Sequence, residues 1–345
     1  MIRWLLLAAA FLSIGPSPAA ATHASECASG LLISATIGHV LHRLRLSVAS
    51  VVSDGHGGWF TAGTRLTHLR HDGSADPSWH SRVQRGVSYT NRASSGILAR
   101  QGGRLYVAGR QRAVAVDTGT GRVLWVSPAA AGPTVRGLHA TIAALAIGGG
   151  TVYLGGTFTS VGGMRRVGLA ALDAATGRLL PWHAPPVRPV TLLALSSSRL
   201  YFSGKRVGAV RSRDGGRTSF ASPRRIFDPI MLAVRGPYVL VGCSTRWSNC
   251  ESDTGVFDGR TGKPVHKFAF DEVPTAGAVG FSGSTAYLGT GAEADFGGHR
   301  YLIAIDLRTG KFKPWFPKAG YYVSTSSIAV SGDRVLVAGS FCPGP

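Results

Sequence analysis

Seven short runs of apolar and aromatic side chains along this sequence each stop at a glycine. They are GWFTAG ending at Gly63, RLYVAG at Gly109, TVYLGG at Gly156, RLYFSG at Gly204, PYVLVG at Gly242, STAYLG at Gly289 and RVLVAG at Gly339. Runs this short, rich in β-branched and aromatic residues and bounded by turn formers, read as strands rather than helices. Their terminal glycines recur every 46 residues on average. A period of about 40 to 50 residues built from short strands is that of a β-propeller, with one blade per repeat. The expected fold is therefore all-β: one seven-bladed β-propeller of four-stranded antiparallel blades.

The fullest repeat runs from Ile142 to Trp182 and divides into four strands, called A to D outward from the centre. Between C and D a turn of the form Asp-x-x-Thr-Gly recurs at Asp117 to Gly121, Asp173 to Gly177, Asp258 to Gly262 and Asp306 to Gly310. In such a turn the carboxylate accepts backbone N–H groups two residues on, and the glycine takes the positive φ that closes the hairpin. A large aromatic then ends strand D at Trp79, Trp125, Trp182, Phe220, Phe268 and Trp315. Repetition assigns both features to structure: the aspartates to turns and the aromatics to packing between blades.

The strings AVDTGTGRVLW and ALDAATGRLLPW resemble the repeat of the PQQ-like, or quinoprotein-like, propellers. RLTHLRHDGSADPSW also resembles the related delta-sixty repeat of bacterial secreted proteins. The resemblance implies the propeller fold, in a superfamily that holds both dehydrogenases and assembly scaffolds. Its quinone-dependent dehydrogenases have eight blades, adjacent cysteines and a calcium held by Glu, Asn and Asp. This chain has seven repeats, no Cys-Cys pair and only Asn91 and Asn249, so no cofactor is expected.

Residues 1–21 have the three parts of a secretory signal peptide: Arg3, an apolar stretch from Trp4 to Ile14, and the small run Ala19-Ala20-Ala21. The expected product is an exported protein, with residues 22–345 forming the propeller and no transmembrane anchor. Four cysteines in an exported chain imply two disulfides. Cys243 and Cys250 bracket a compact loop and are paired locally, which leaves Cys27 with Cys342 at the two ends. The seventh repeat stops after strands A and B. The unassigned segment Leu31 to Leu46 is therefore expected to complete it, with the terminal disulfide in place of the missing loop.

Charge adds a direction. Residues 22 to 225 hold 25 basic and 7 acidic side chains, whereas 226 to 345 hold 11 and 10. The densest basic stretch contains Lys205, Arg206, Arg211, Arg213, Arg217, Arg224 and Arg225, opposed only by Asp214. Arginine's planar fork suits carboxylate and phosphate, so an anionic envelope polymer, a glycan or an envelope protein is the expected partner. Nucleic acid is not expected, because export argues against it and no recognition motif accompanies the charge.

Catalytic signatures are sparse. His68 and His71, at i and i+3, do not share a strand face and so do not form a metal pair. No metal site is expected; Glu293 and Asp295, in a glycine-rich loop, are the residues best suited to offer oxygen ligands to calcium. The expected function is a monomeric, non-catalytic binding or scaffold module. The alternative is a secreted carbohydrate-active or other small-substrate enzyme with loop carboxylates on the propeller face.

Overall fold

The computed structural model describes residues 27–45, 48–63, 65–81, 83, 98–133, 140–204, 206–220, 229–243, 254–268, 276–290, 302–315, 317 and 322–342; the side chains of 243, 254, 267, 268, 276, 290 and 322–324 are not part of that description. Residues 1–21, Lys205, Arg224, Arg225, Cys250, Glu293 and Asp295 lie outside it.

Every regular element among the described residues is a strand, and the strands form antiparallel sheets of three or four. Sheet 1 contains Val48–Ser53, Trp59–Gly63 and Leu66–Leu69; sheet 2 contains Leu98–Gln101, Arg104–Ala108, Ala113–Asp117 and Val123–Val126. Sheet 3 is Ile142–Gly148, Thr151–Gly156 and Leu169–Asp173, and sheet 4 is Leu193–Leu195, Arg199–Ser203 and Val207–Arg211. Sheet 5 is Pro229–Arg235, Tyr238–Cys243, Thr254–Asp258 and Pro264–Phe268; sheet 6 is Ala276–Ser282, Thr285–Thr290 and Leu302–Asp306. In sheet 7 the order is Val40–Leu44, Ala28–Ser34, Arg334–Cys342, Tyr322–Ser331, so both ends of the described chain share one sheet.

The strands are apolar on both faces because each sheet is covered on both sides. In sheet 2, Leu105, Val107, Val114 and Val116 pack on Phe60, Leu66 and Trp79 of sheet 1. The alternate residues Tyr106, Ala113 and Ala115 pack on Val152, Leu154, Ala170 and Leu172 of sheet 3. Successive side chains of a strand point to opposite faces, so a doubly covered strand reads as a continuous apolar run. The first strands of sheets 1 to 7 touch in cyclic order, with Tyr322–Ser331 against both Ala276–Ser282 and Val48–Ser53.

The N-terminal strand obeys the same rule. Leu31 and Ile33 enter the core shared with sheet 6, whereas Leu32 enters the one shared with sheet 1. Residues Ala28 to Ser34 pair antiparallel with Arg334 to Phe341, and a Cys27–Cys342 disulfide joins the two segments across a sequence separation of 315. The expected segment 31–46 corresponds to two strands, Ala28–Ser34 and Val40–Leu44.

Two details depart from the sequence reading. Strand D is full in sheets 2 and 5 but reduced to single bridges in sheets 1, 3, 4 and 6, at Leu69↔Ala75, Leu172↔Leu179, Val210↔Arg217 and Ile305↔Phe312. Pro77, Pro181 and Pro314, two residues beyond three of these bridges, have no N–H to extend the ladder. A further small sheet joins Ala130–Ala131 to Ser160–Val161 and Met164–Arg165, and Ala130 and Val161 enter the core shared by sheets 2 and 3.

Candidate anion-binding face on sheet 4

The turns between the third and fourth strands share one geometry. In sheet 3, Asp173 Oδ1 accepts from Thr176 N at 2.8 Å and from Thr176 Oγ1 at 2.7 Å, and Gly177 sits at φ 73°. Hydrogen bonds from the Thr176 hydroxyl and backbone hold the Asp173 carboxyl below the usual carboxylate range. Asp117, Asp258 and Asp306 repeat the arrangement. These aspartates are spent on their own turns.

Sheet 4 departs from this pattern. Arg211 occupies the place of the turn aspartate, as the bond from Gly215 N to Arg211 O matches that from Gly177 N to Asp173 O. The acid moves three residues on, to Asp214, which accepts from Gly216 N at 2.8 Å and from Arg211 Nε at 3.0 Å. Arg213 Nε reaches the same carboxylate at 3.3 Å. Donation by Arg211, first, and by Gly216 N holds the Asp214 carboxyl at about 2. Two guanidiniums thus share one carboxylate at this turn. The Arg211 and Arg213 side chains are 46% and 80% exposed.

Of the arginines singled out from the sequence, Arg211, Arg213 and Arg217 gather at this turn, where Arg211 Nη1 also donates to Arg217 O at 3.2 Å. Arg206 lies across the sheet, beside the start of Val207–Arg211, and is not part of the cluster.

A cleft of about 690 Å³ opens between sheets 3 and 4 beside this turn. Trp182 and Tyr153 form its base, both donating to the carbonyl of Ser212, at 2.8 and 2.9 Å. Thr151, Ser196, Ser197, Ser212 and Arg213 line it with polar atoms.

Sequence reasoning missed one constellation. His68 stands between two carboxylates, with Nε2 3.0 Å from Asp54 Oδ2 and Nδ1 3.0 Å from Asp76 Oδ2, and its ring stacks on Phe60 at 4.7 Å. In sheets 2, 3 and 6 the position paired with the aromatic of the second strand is Ala115, Ala171 or Ala304. The signal was present in that substitution. Both ring nitrogens are engaged, so the array ties a loop to a turn and offers no free nitrogen as a base.

Residues 50–224 match the family described as outer membrane protein assembly factor BamB. The chain belongs to this PQQ-like propeller family. Solved structures similar to this BamB-family chain include the computationally designed Ika8 protein, 14% identical over 89% of this chain and 99% of that one, with a TM-score of 0.54. A chain of Kuenenia stuttgartiensis hydrazine synthase is 13% identical over 83% and 90%, with a TM-score of 0.58. BamB from Moraxella catarrhalis is 16% identical over 92% and 90%, with a TM-score of 0.48. At these identities the likeness is one of fold. Comparison with curated proteins gave no match.

Proposed function

We propose that this BamB-family protein is an exported, monomeric propeller of seven blades, one domain over residues 22–345, closed by its own N-terminal strands. It acts as a non-catalytic binding module that engages an anionic envelope polymer or glycan through sheet 4. The observation that carries the reading is the exposed turn on which Arg211 and Arg213 share Asp214. Seven sheets with first strands in cyclic contact support the blade count, and the mixed-terminus sheet 7 supports closure. A disulfide favours an oxidising compartment, and no helix among the described residues is long and apolar enough to cross a membrane. The family's description as an assembly factor is in keeping with a binding role.

The test is retention on immobilised polygalacturonate at about 0.05 and 0.3 M salt, between which the screening length falls by a factor of about 2.4. The protein is expected to bind at low salt, to elute at high salt, and to lose retention when Arg211, Arg213 and Arg217 are all changed to Ala. Retention that ignores both salt and the triple substitution would overturn the proposal.

A further inference from the structure

The cleft between sheets 3 and 4 has a counterpart one repeat earlier, between sheets 2 and 3, of about 380 Å³. The two clefts occupy the same place in the repeat but differ in chemistry. Where the earlier one is bounded by Gly150, Ala174 and Ala175, this one presents Ser197, Ser212 and Arg213. Features shared by every repeat serve the scaffold. This cleft presents hydroxyls from Ser197 and Ser212 and a guanidinium from Arg213 at those positions, whereas the counterpart carries its own guanidinium, Arg104, together with the carboxylate of Asp173.

We infer that this cleft is a subsite for a single uronic-acid residue of the polymer, an inference that rests on the anion-binding reading above. A volume of about 690 Å³ falls within the range of small-ligand sites. Hydroxyl side chains both donate and accept, as the hydroxyls of a sugar require of their partners. The N–H of Trp182 and the O–H of Tyr153 are committed to the Ser212 carbonyl and both rings are buried, so the apolar surface open to a sugar's C–H face comes from Leu180, Pro181 and Leu195. Arg213 stands at the mouth, and among the described residues its only recorded hydrogen bond is through Nε. The outer edge of its guanidinium then pairs with the sugar carboxylate. Neither a neutral sugar nor a simple carboxylate uses both halves of the site.

The experiment is isothermal titration of the whole protein with sodium glucuronate, glucose and sodium acetate, run beside the polygalacturonate retention assay. Glucuronate is expected to bind about tenfold tighter than either of the others. Arg213→Ala should bring glucuronate down to the level of glucose, and Ser197→Trp, at an exposed position, should block the cleft and abolish binding. Glucuronate no tighter than acetate, with the polymer still retained, overturns the subsite and leaves the polyanion reading standing. Loss of both overturns both. Glucuronate binding unchanged by the two substitutions overturns the location.

Discussion

The indole N–H of Trp125 donates to the backbone carbonyl of Ala174 at 3.1 Å, which ties the last strand of sheet 2 to the turn of sheet 3. Tyr106 Oη donates to the same carbonyl. The bond recurs from Trp79 to Thr118 O, from Trp182 to Ser212 O and from Trp315 to Ser34 O. The last of these reaches from sheet 6 into the N-terminal strand. Sheets 1, 2, 3 and 6 thus each grip a carbonyl of the next sheet, and for sheets 1 and 2 the recipient turn is the one that an aspartate and a glycine shape.

Removing the grip should be costly. Trp182→Ala is expected to lower stability by about 3 to 5 kcal/mol and Trp182→Phe by about 1 kcal/mol, since Phe keeps most of the packing and loses the hydrogen bond. Equilibrium urea unfolding measures both. Equal losses for the two variants would mean that packing contributes nothing there.

Gly177 has φ 73°, and a Cβ on it would lie 2.5 Å from Trp125 Cε3, whereas one on Gly149, at φ 57°, meets nothing within 4 Å. Gly177→Ala should therefore destabilise by more than about 2 kcal/mol and Gly149→Ala by about 1 kcal/mol. Thermal unfolding of the pair separates backbone strain from collision.

The Cys27–Cys342 bond encloses nearly the whole described chain. Cys27→Ser with Cys342→Ser is expected to cost about 2 to 5 kcal/mol. Hydrogen exchange should quicken first along Ala28–Ser34. Unchanged exchange there would show that strand pairing alone holds the terminus.

The carboxyls of Asp54 and Asp76 are both held below their ordinary range. At Asp54, burial pushes upward but is outweighed by hydrogen bonds from His68, His56 N and Gly58 N; at Asp76 the Ser78 hydroxyl leads and His68 follows. A depressed folded-state pKa gives stability that is fully present above the ordinary value of about 4 and is lost as pH falls below it. His68→Leu removes a donor from both acids. Acid unfolding followed by tryptophan fluorescence should shift to higher pH in that variant, and an unmoved midpoint would count against the array.

The count of glycine-ended runs, the turns of Asp117 and Asp173, and the pairing of Cys27 with Cys342 were legible because each is a local pattern or follows from counting. The reduced fourth strands were partly legible too, in Pro77, Pro181 and Pro314. The bridging of His68 was not: Asp54 and Asp76 lie 14 and 8 residues away on other segments, and only the folded sheet brings them to one ring.

By itself, then, the sequence determined the strand repeat, because alternation and turn chemistry act between neighbours along the chain. It also determined where basic residues concentrate. Only the tertiary structure decided which of them meet, gathering Arg211, Arg213 and Arg217 at one turn beside a cleft and setting Arg206 apart, because side chains close in sequence alternate between sheet faces and ends.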